Sequence, residues 1–163
     1  MIPASSNGSE LEHRPESHDP PYVFSWTRDG KLLTDRDNKL NRMDPATGRQ
    51  DAVLADSFPS SMPIECGGDK YIVFGSGGRS GKSRINLWRM DSDSGNLKQL
   101  TEGKADLFPA CASSSKWVYF LDLASGQNLM RVSIDGGTPE RISGPGITEF
   151  DISPDGKLLA QDS

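Results

Sequence analysis

The sequence predicts an all-β fold assembled from one small sheet copied in tandem. Three observations lead there. Short apolar runs alternate with glycine- and aspartate-rich turns from Tyr22 onward. Several strand-and-turn series recur with one shared period. No window of ten or more residues carries a helical stripe.

Residues 1–21 come first and do not share this texture. They are polar, hold both histidines, His13 and His18, and read as a flexible leader or linker. The Asn7-Gly8-Ser9 sequon in this segment has meaning only in a glycosylating secretory pathway. The strands follow as "YVFSW", "KLLT", "YIVF", "INLW", "WVYFL" and "KLLA", punctuated by "RDG", "ATG", "GGD", "DSG", "DGG" and "PDG". Several of these turns suit hairpins, because glycine supplies the positive φ that tight reversals need.

Aligned, the runs repeat. Lys31, Lys70, Lys116 and Lys157 each precede an apolar strand, at separations of 39, 46 and 41 residues. One strand later Arg42, Arg89 and Arg131 fall in one register, 47 and 42 residues apart. Another strand later come "QDAVL", "LKQLT" and "PERIS". A period in the low forties with about four strands per unit is the signature of β-propeller blades. The units fall at 22–58, 59–106, 107–147 and 148–163, the last holding two strands. The expectation is a partial β-propeller of about three and a half four-stranded antiparallel blades. Closed propellers have about four to eight blades, so the chain reads as a piece of a larger propeller, or as one that self-associates through its open blade faces.

The segments "FDISPDGKLLA" and "INLWRMDSDSGNLKQLTEG" resemble the TolB-like, WD-type propeller repeat, with its Ser-Pro-Asp-Gly-Lys turn, Leu-Trp strand and closing Gln-Leu-Thr. The resemblance covers residues 22–163. In the first unit "TRDGK" replaces "SPDGK", and in the third "SSSK" has lost both Pro and Gly. The aromatic residue usual before that turn survives as Trp26, with Glu65, Cys111 and Ile152 in the matching places. The resemblance implies a non-catalytic binding module or scaffold in a cell-envelope or sensor setting, hence a periplasmic or extracytoplasmic location. Propellers of this type bind other proteins, and similar repeats close some bacterial serine/threonine kinases, where this one would be the sensory or docking part. The alternative it implies is the propeller lid of a prolyl-oligopeptidase-type hydrolase lacking its catalytic domain.

The segment "YIVFGSGGRSGKS" imitates a phosphate-binding loop. Such a loop requires G-x-x-x-x-G-K-[ST], and the position five before Gly81 is Ser76. The Lys and Ser should also open a helix, whereas here they precede "RINLW", which matches the third strand of the sister units. The stretch therefore reads as a long hairpin loop, its basic residues Arg79, Lys82 and Arg84 being the loop candidates for binding, and no nucleotide cofactor is expected. "DSDSGN" imitates a calcium loop, with Glu102 at the twelfth position, but Gly95 and Asn96 occupy the fifth and sixth, where a ligand and the turn glycine belong. It reads as a hairpin turn, and no metal is expected.

A serine-hydrolase motif is absent, kinase signatures are absent, and the repeats contain no histidine, so no catalytic residue is assigned. Trp88 and Trp117 read as blade packing, and the arginine series as solvated strand faces. Cys66 and Cys111 form no CxxC pair and read as two buried free thiols. A net charge of −5 argues against nucleic acid and anionic membrane surfaces. No run is long enough to insert in a membrane as a helix. Partners are expected to be a protein or small ligand that meets the blade loops.

Overall fold

A computed structural model describes residues 23–36, 39–54, 60–78, 84–112 and 116–163. The expected leader, with His13, His18 and the Asn7 sequon, lies outside the described residues, as do Arg79 and Lys82. All regular structure among the described residues is β. The first sheet holds β1 (Val23–Trp26), β2 (Leu32–Arg36), β3 (Lys39–Met43) and β4 (Gln50–Ala52). The second holds β5 (Ser61–Cys66), β6 (Tyr71–Ser76), β7 (Asn86–Asp91) and β8 (Lys98–Gln99). The third holds β9 (Asp106–Ala110), β10 (Trp117–Asp122), β11 (Asn128–Ser133) and β12 (Glu140–Ser143). β13 (Glu149–Ile152) and β14 (Leu159–Asp162) form a two-stranded sheet. Within each sheet the strands are antiparallel and follow chain order, the arrangement of propeller blades.

The second strand of a blade explains the apolar runs. "YIVF" and "WVYFL" do not alternate polar with apolar, because both faces of these strands are covered. Ile72 and Phe74 point toward the first blade and pack with Leu33, Leu40 and Met90. Val73, between them, points the other way and packs with Val118, Phe120 and Val132 of the third blade. In β10, Val118 and Phe120 face back to the second blade, while Leu121 packs with Leu129 and Ile147 toward β13. Each buried aromatic or aliphatic side chain contributes about 1.5–3 kcal/mol. The exposed ion pairs, such as Arg49–Asp51 at 3.0 Å, contribute about 0–1 kcal/mol each. Seam packing therefore dominates the stability of the arc.

The repeated motifs have local reasons. In the closing Gln-Leu-Thr, Leu100 is buried in the seam, and the Thr101 hydroxyl accepts the Leu87 N–H at 2.9 Å. In the Ser-Pro-Asp-Gly-Lys turn, Ser153 donates to Asp155 at 2.7 Å and accepts the Leu158 N–H at 2.9 Å. Thr27 of "TRDGK" likewise donates to Asp29, and it accepts the Lys31 N–H at 2.9 Å, one residue earlier in the turn than Ser153 does. These hydroxyl bonds hold the Asp29 and Asp155 carboxyls below the usual carboxylate range.

Two expectations need correction. Cys66 and Cys111 are a disulfide, not free thiols. They end the inner strands of neighbouring blades, which brings their Cα atoms to 5.9 Å, within the span a disulfide needs. The lysine series also mixes two structural positions. The turn between inner and second strands is three residues long in the first blade (28–30) and four in the second (67–70). Lys31 therefore occupies the strand position held by Tyr71 and Trp117, and Lys70 and Lys116 are the last residues of their turns. The arginine series is in true register: Arg42, Arg89 and Arg131 lie opposite Leu33, Val73 and Tyr119.

The disulfide spans a sequence separation of 45, for which loop-closure entropy gives about 4 kcal/mol. The Cys66→Ala/Cys111→Ala protein is expected to lose about 3–4 kcal/mol in urea unfolding. An unchanged midpoint would show that the seam holds without it.

Candidate functional site

The inner strands β1, β5, β9 and β13 line a cavity of about 490 Å³ on the axis side of the blades. Its wall is mainly apolar, with Met62, Ile64, Phe108 and Phe150, and its polar contributions come from Ser25, Thr148 and Glu149. A concave apolar wall with a few polar groups is the ordinary form of a ligand site.

The backbone of this wall is unusual. Met62 and Phe108 have φ of 51° and 57°, a left-handed conformation that bulky side chains avoid. Each precedes a proline, Pro63 or Pro109, and each lies where the register of its inner strand slips against the second strand. The two positions are equivalent in the repeat, so the feature is built into the unit. Such bulges re-aim side chains, and Phe108 stands 52% exposed at the cavity. The bulge also turns backbone groups out of the ladder, and the first blade satisfies them. Ser25 donates its hydroxyl to the Pro63 carbonyl at 2.6 Å, and the Asp35 carboxylate accepts the Met62 N–H at 3.2 Å. Strain of about 1–3 kcal/mol per left-handed residue persists only where neighbours over-determine it.

The loop candidates fall elsewhere. Arg84 is exposed just before β7, at the opposite end of the blade from the Gly67–Lys70 turn, and it does not line the channel cavity. Ile85 forms a bridge with Ala105 and Asn86 opens β7, so the chain after the glycine-rich loop is a strand and supplies no helix N-terminus for a phosphate. The Asp91–Asn96 segment is a hairpin turn, in which Gly95 N–H donates to Asp93 at 3.0 Å and the Asn96 amide to Asp91 at 2.6 Å.

The arginine series is not a solvated stripe. Arg89 lies 4.4 Å over the Tyr71 ring and pairs with Asp91 at 3.2 Å. Arg131 lies 4.2 Å over the Trp117 ring and pairs with Glu140 at 2.7 Å. That carboxylate keeps the Arg131 guanidinium yet more firmly protonated. Sequence reasoning missed Met62 and Phe108, although the recurring Met-Pro and Phe-Pro one unit apart were a readable signal.

No protein-family profile matches the sequence, and no curated protein sequence matches it significantly. Solved structures do match in fold. A protein assigned as TolB from Agrobacterium tumefaciens superposes with a TM-score of 0.68 at 20% identity, covering 90% of this chain and 61% of that one. TolB from Acinetobacter baumannii gives a TM-score of 0.68 at 19% identity, over 88% of this chain and 37% of its own. A puromycin-hydrolyzing peptidase from Mycobacterium tuberculosis gives 0.60 at 14% identity, over 85% and 27%. The chain thus spans 61% or less of the length of each of these three structures. Together with the blade topology, these similarities define a β-propeller module. Its fold is that of a partial TolB-like propeller.

The interblade clasp gives a direct test of the wall. Ser25→Ala and Asp35→Ala are each expected to cost about 1–3 kcal/mol in chemical unfolding, since each strands a backbone group of the bulge. Losses under a few tenths would mean that the bulge needs no support from the first blade.

Proposed function

We propose that the chain is a non-catalytic binding module of a larger bacterial protein, and that it seats a short apolar segment of a partner protein against the channel wall. The observation that carries this reading is the paired bulge, which holds Met62 and Phe108 in a strained backbone and leaves the Phe108 ring exposed at the cavity. Strain of this kind concentrates at functional positions, and exposed aromatic anchors carry much of the energy of protein contacts.

Binding without catalysis is supported by the wall chemistry. Its polar groups are two hydroxyls and one carboxylate, and both histidines of the chain lie in the first twenty residues. Fold does not fix function, so the module's setting rests on the repeat resemblance and the leader. These favour the sensory or docking part of a serine/threonine kinase. The disulfide supports an extracytoplasmic location, because such bonds persist in oxidising compartments. The propeller likeness to the puromycin-hydrolyzing peptidase supports a second reading, the gate of a prolyl-oligopeptidase-type enzyme. The coding sequence on either side separates them: a kinase domain and membrane span upstream, or a G-x-S-x-G with a later His downstream.

Peptides selected for binding from a random display library provide the probe for the channel. Phe108→Asn suits the test, because asparagine tolerates the left-handed backbone and the ring is already exposed. It is expected to weaken the selected peptides by about tenfold or more. Peptides that bind the variant with full affinity would place recognition away from the channel.

A further inference from the structure

The last seam is open where its sisters are covered. In the second and third blades the third strand lays two apolar side chains, two residues apart, on the blade before it. Trp88 and Met90 of β7 pack on the first blade, and Met130 and Val132 of β11 pack on the second. The register-matched arginine stands between them, so both strands read apolar–arginine–apolar. β13 and β14 form a sheet of two strands, so among the described residues no third strand lies on the third blade. One matched pair shows the difference. Leu100 and Ile142 hold equivalent places, since Gln99 lies opposite Trp88 and Arg141 opposite Met130. Leu100 is 4% exposed, in one cluster with Val132, whereas Ile142 is 39% exposed.

The strand edge beside Ile142 is open too. Leu159 of β14 holds the place of Ile72 in β6 and Val118 in β10, and both of those strands pair with a third strand along that edge. All four residues of β14 are exposed. The small sheet is nonetheless seated. Phe150 packs against Leu121 and Leu129, and the Gln161 amide donates to the Ser143 hydroxyl at 2.8 Å. A fixed strand edge above an apolar floor is the form that strand addition requires. Phe150 faces the third blade, so Asp151 faces away, and Ala160 lies opposite Asp151. Asp162, two residues on, shares that side. Arg131 pairs with Tyr119, whose place in β14 is Ala160, so the arginine of an added strand would lie diagonally beside the exposed Asp162.

We propose that β14 takes up an extended segment of a partner protein with apolar–arginine–apolar order, which runs antiparallel to it as the third strand of this blade. The two apolar side chains cover Ile142, and the arginine meets Asp162. Every third strand among the described residues is paired on both sides, so a folded second copy has none to give. Outside the described residues, Arg14 stands between His13 and Pro15 and Arg79 between Gly78 and Ser80, so neither offers that order. The site lies on the outer side of β14, whereas the channel is lined by the inner strands, so the two readings fail separately.

Titration of the full chain with a capped peptide NLMRVS, the sequence of β11, tests the proposal. The peptide is expected to saturate and to slow exchange of the Leu159 and Gln161 amides, which face away from β13, by about tenfold or more. Alanine in place of both Met and Val, or N-methylation of alternate amides, should weaken it by about tenfold or more. Glutamate in place of Arg should weaken it by about fivefold. Ile142→Asp, at an exposed position, should also weaken it by about tenfold, and Phe108→Asn should leave it unchanged. Asp162→Lys should reverse the preference between the arginine and glutamate peptides, a result that misfolding does not produce. No saturation, saturation without slower exchange in β14, or equal affinity for the glutamate peptide would overturn the proposal. So would a dimer in sedimentation that the peptide dissolves, which assigns the edge to a second copy. A longer product of the same gene that refuses the peptide would equally overturn it, by placing the strand in the same polypeptide.

Discussion

A strand with both faces apolar cannot be satisfied by its own sheet, and this constraint organises the whole arc. β6 sends Val73 to one neighbour and Ile72 and Phe74 to the other, and β10 repeats the division with Phe120 and Leu121. Each blade is thus half of two cores. Three side chains of β6 alone bring roughly 4.5–9 kcal/mol of burial, comparable to the net stability of a typical small domain. The disulfide acts on the same seam, tying the ends of β5 and β9 beside the packed cluster.

The inner strands answer to a second demand. They are held by the seams behind them and present the channel in front, so they can carry strain that an isolated strand would release. The left-handed Met62 and Phe108 sit on this scaffold, with Ser25 and Asp35 of the preceding blade meeting the backbone groups that the Met62 bulge frees. In the first blade the arginine position also loses its ring, because Lys31 stands where Tyr71 and Trp117 stand in the other two. Departures from the repeat are more informative here than the repeat itself, because packing already explains what the units share.

Much of the fold was legible because periodicity is written in residue types. The runs "YIVF" and "WVYFL", the closing Gln-Leu-Thr and the arginine register all marked equivalent strands. The lysine series misled by one residue, since a turn can lose a residue while the pattern of letters survives. The disulfide was missed although its separation of 45 is one repeat, which places two inner-strand ends side by side. The channel wall was least legible. The recurring Met-Pro and Phe-Pro mark equivalent positions, but no residue type there announces a left-handed backbone, and the glycines around Lys82 are the more conspicuous pattern. That loop leads into a strand, so its resemblance to a phosphate cradle ends at Ile85.

The central claim is that the seams make the blades one cooperative unit, and native-state hydrogen exchange in rising urea tests it most directly. The account predicts that the amides of β6 and β10 exchange with one free energy and one denaturant dependence, through a shared opening. If β6 opened by itself while β10 stayed protected, the blades would be self-sufficient sheets and the argument from doubly covered strands would fail.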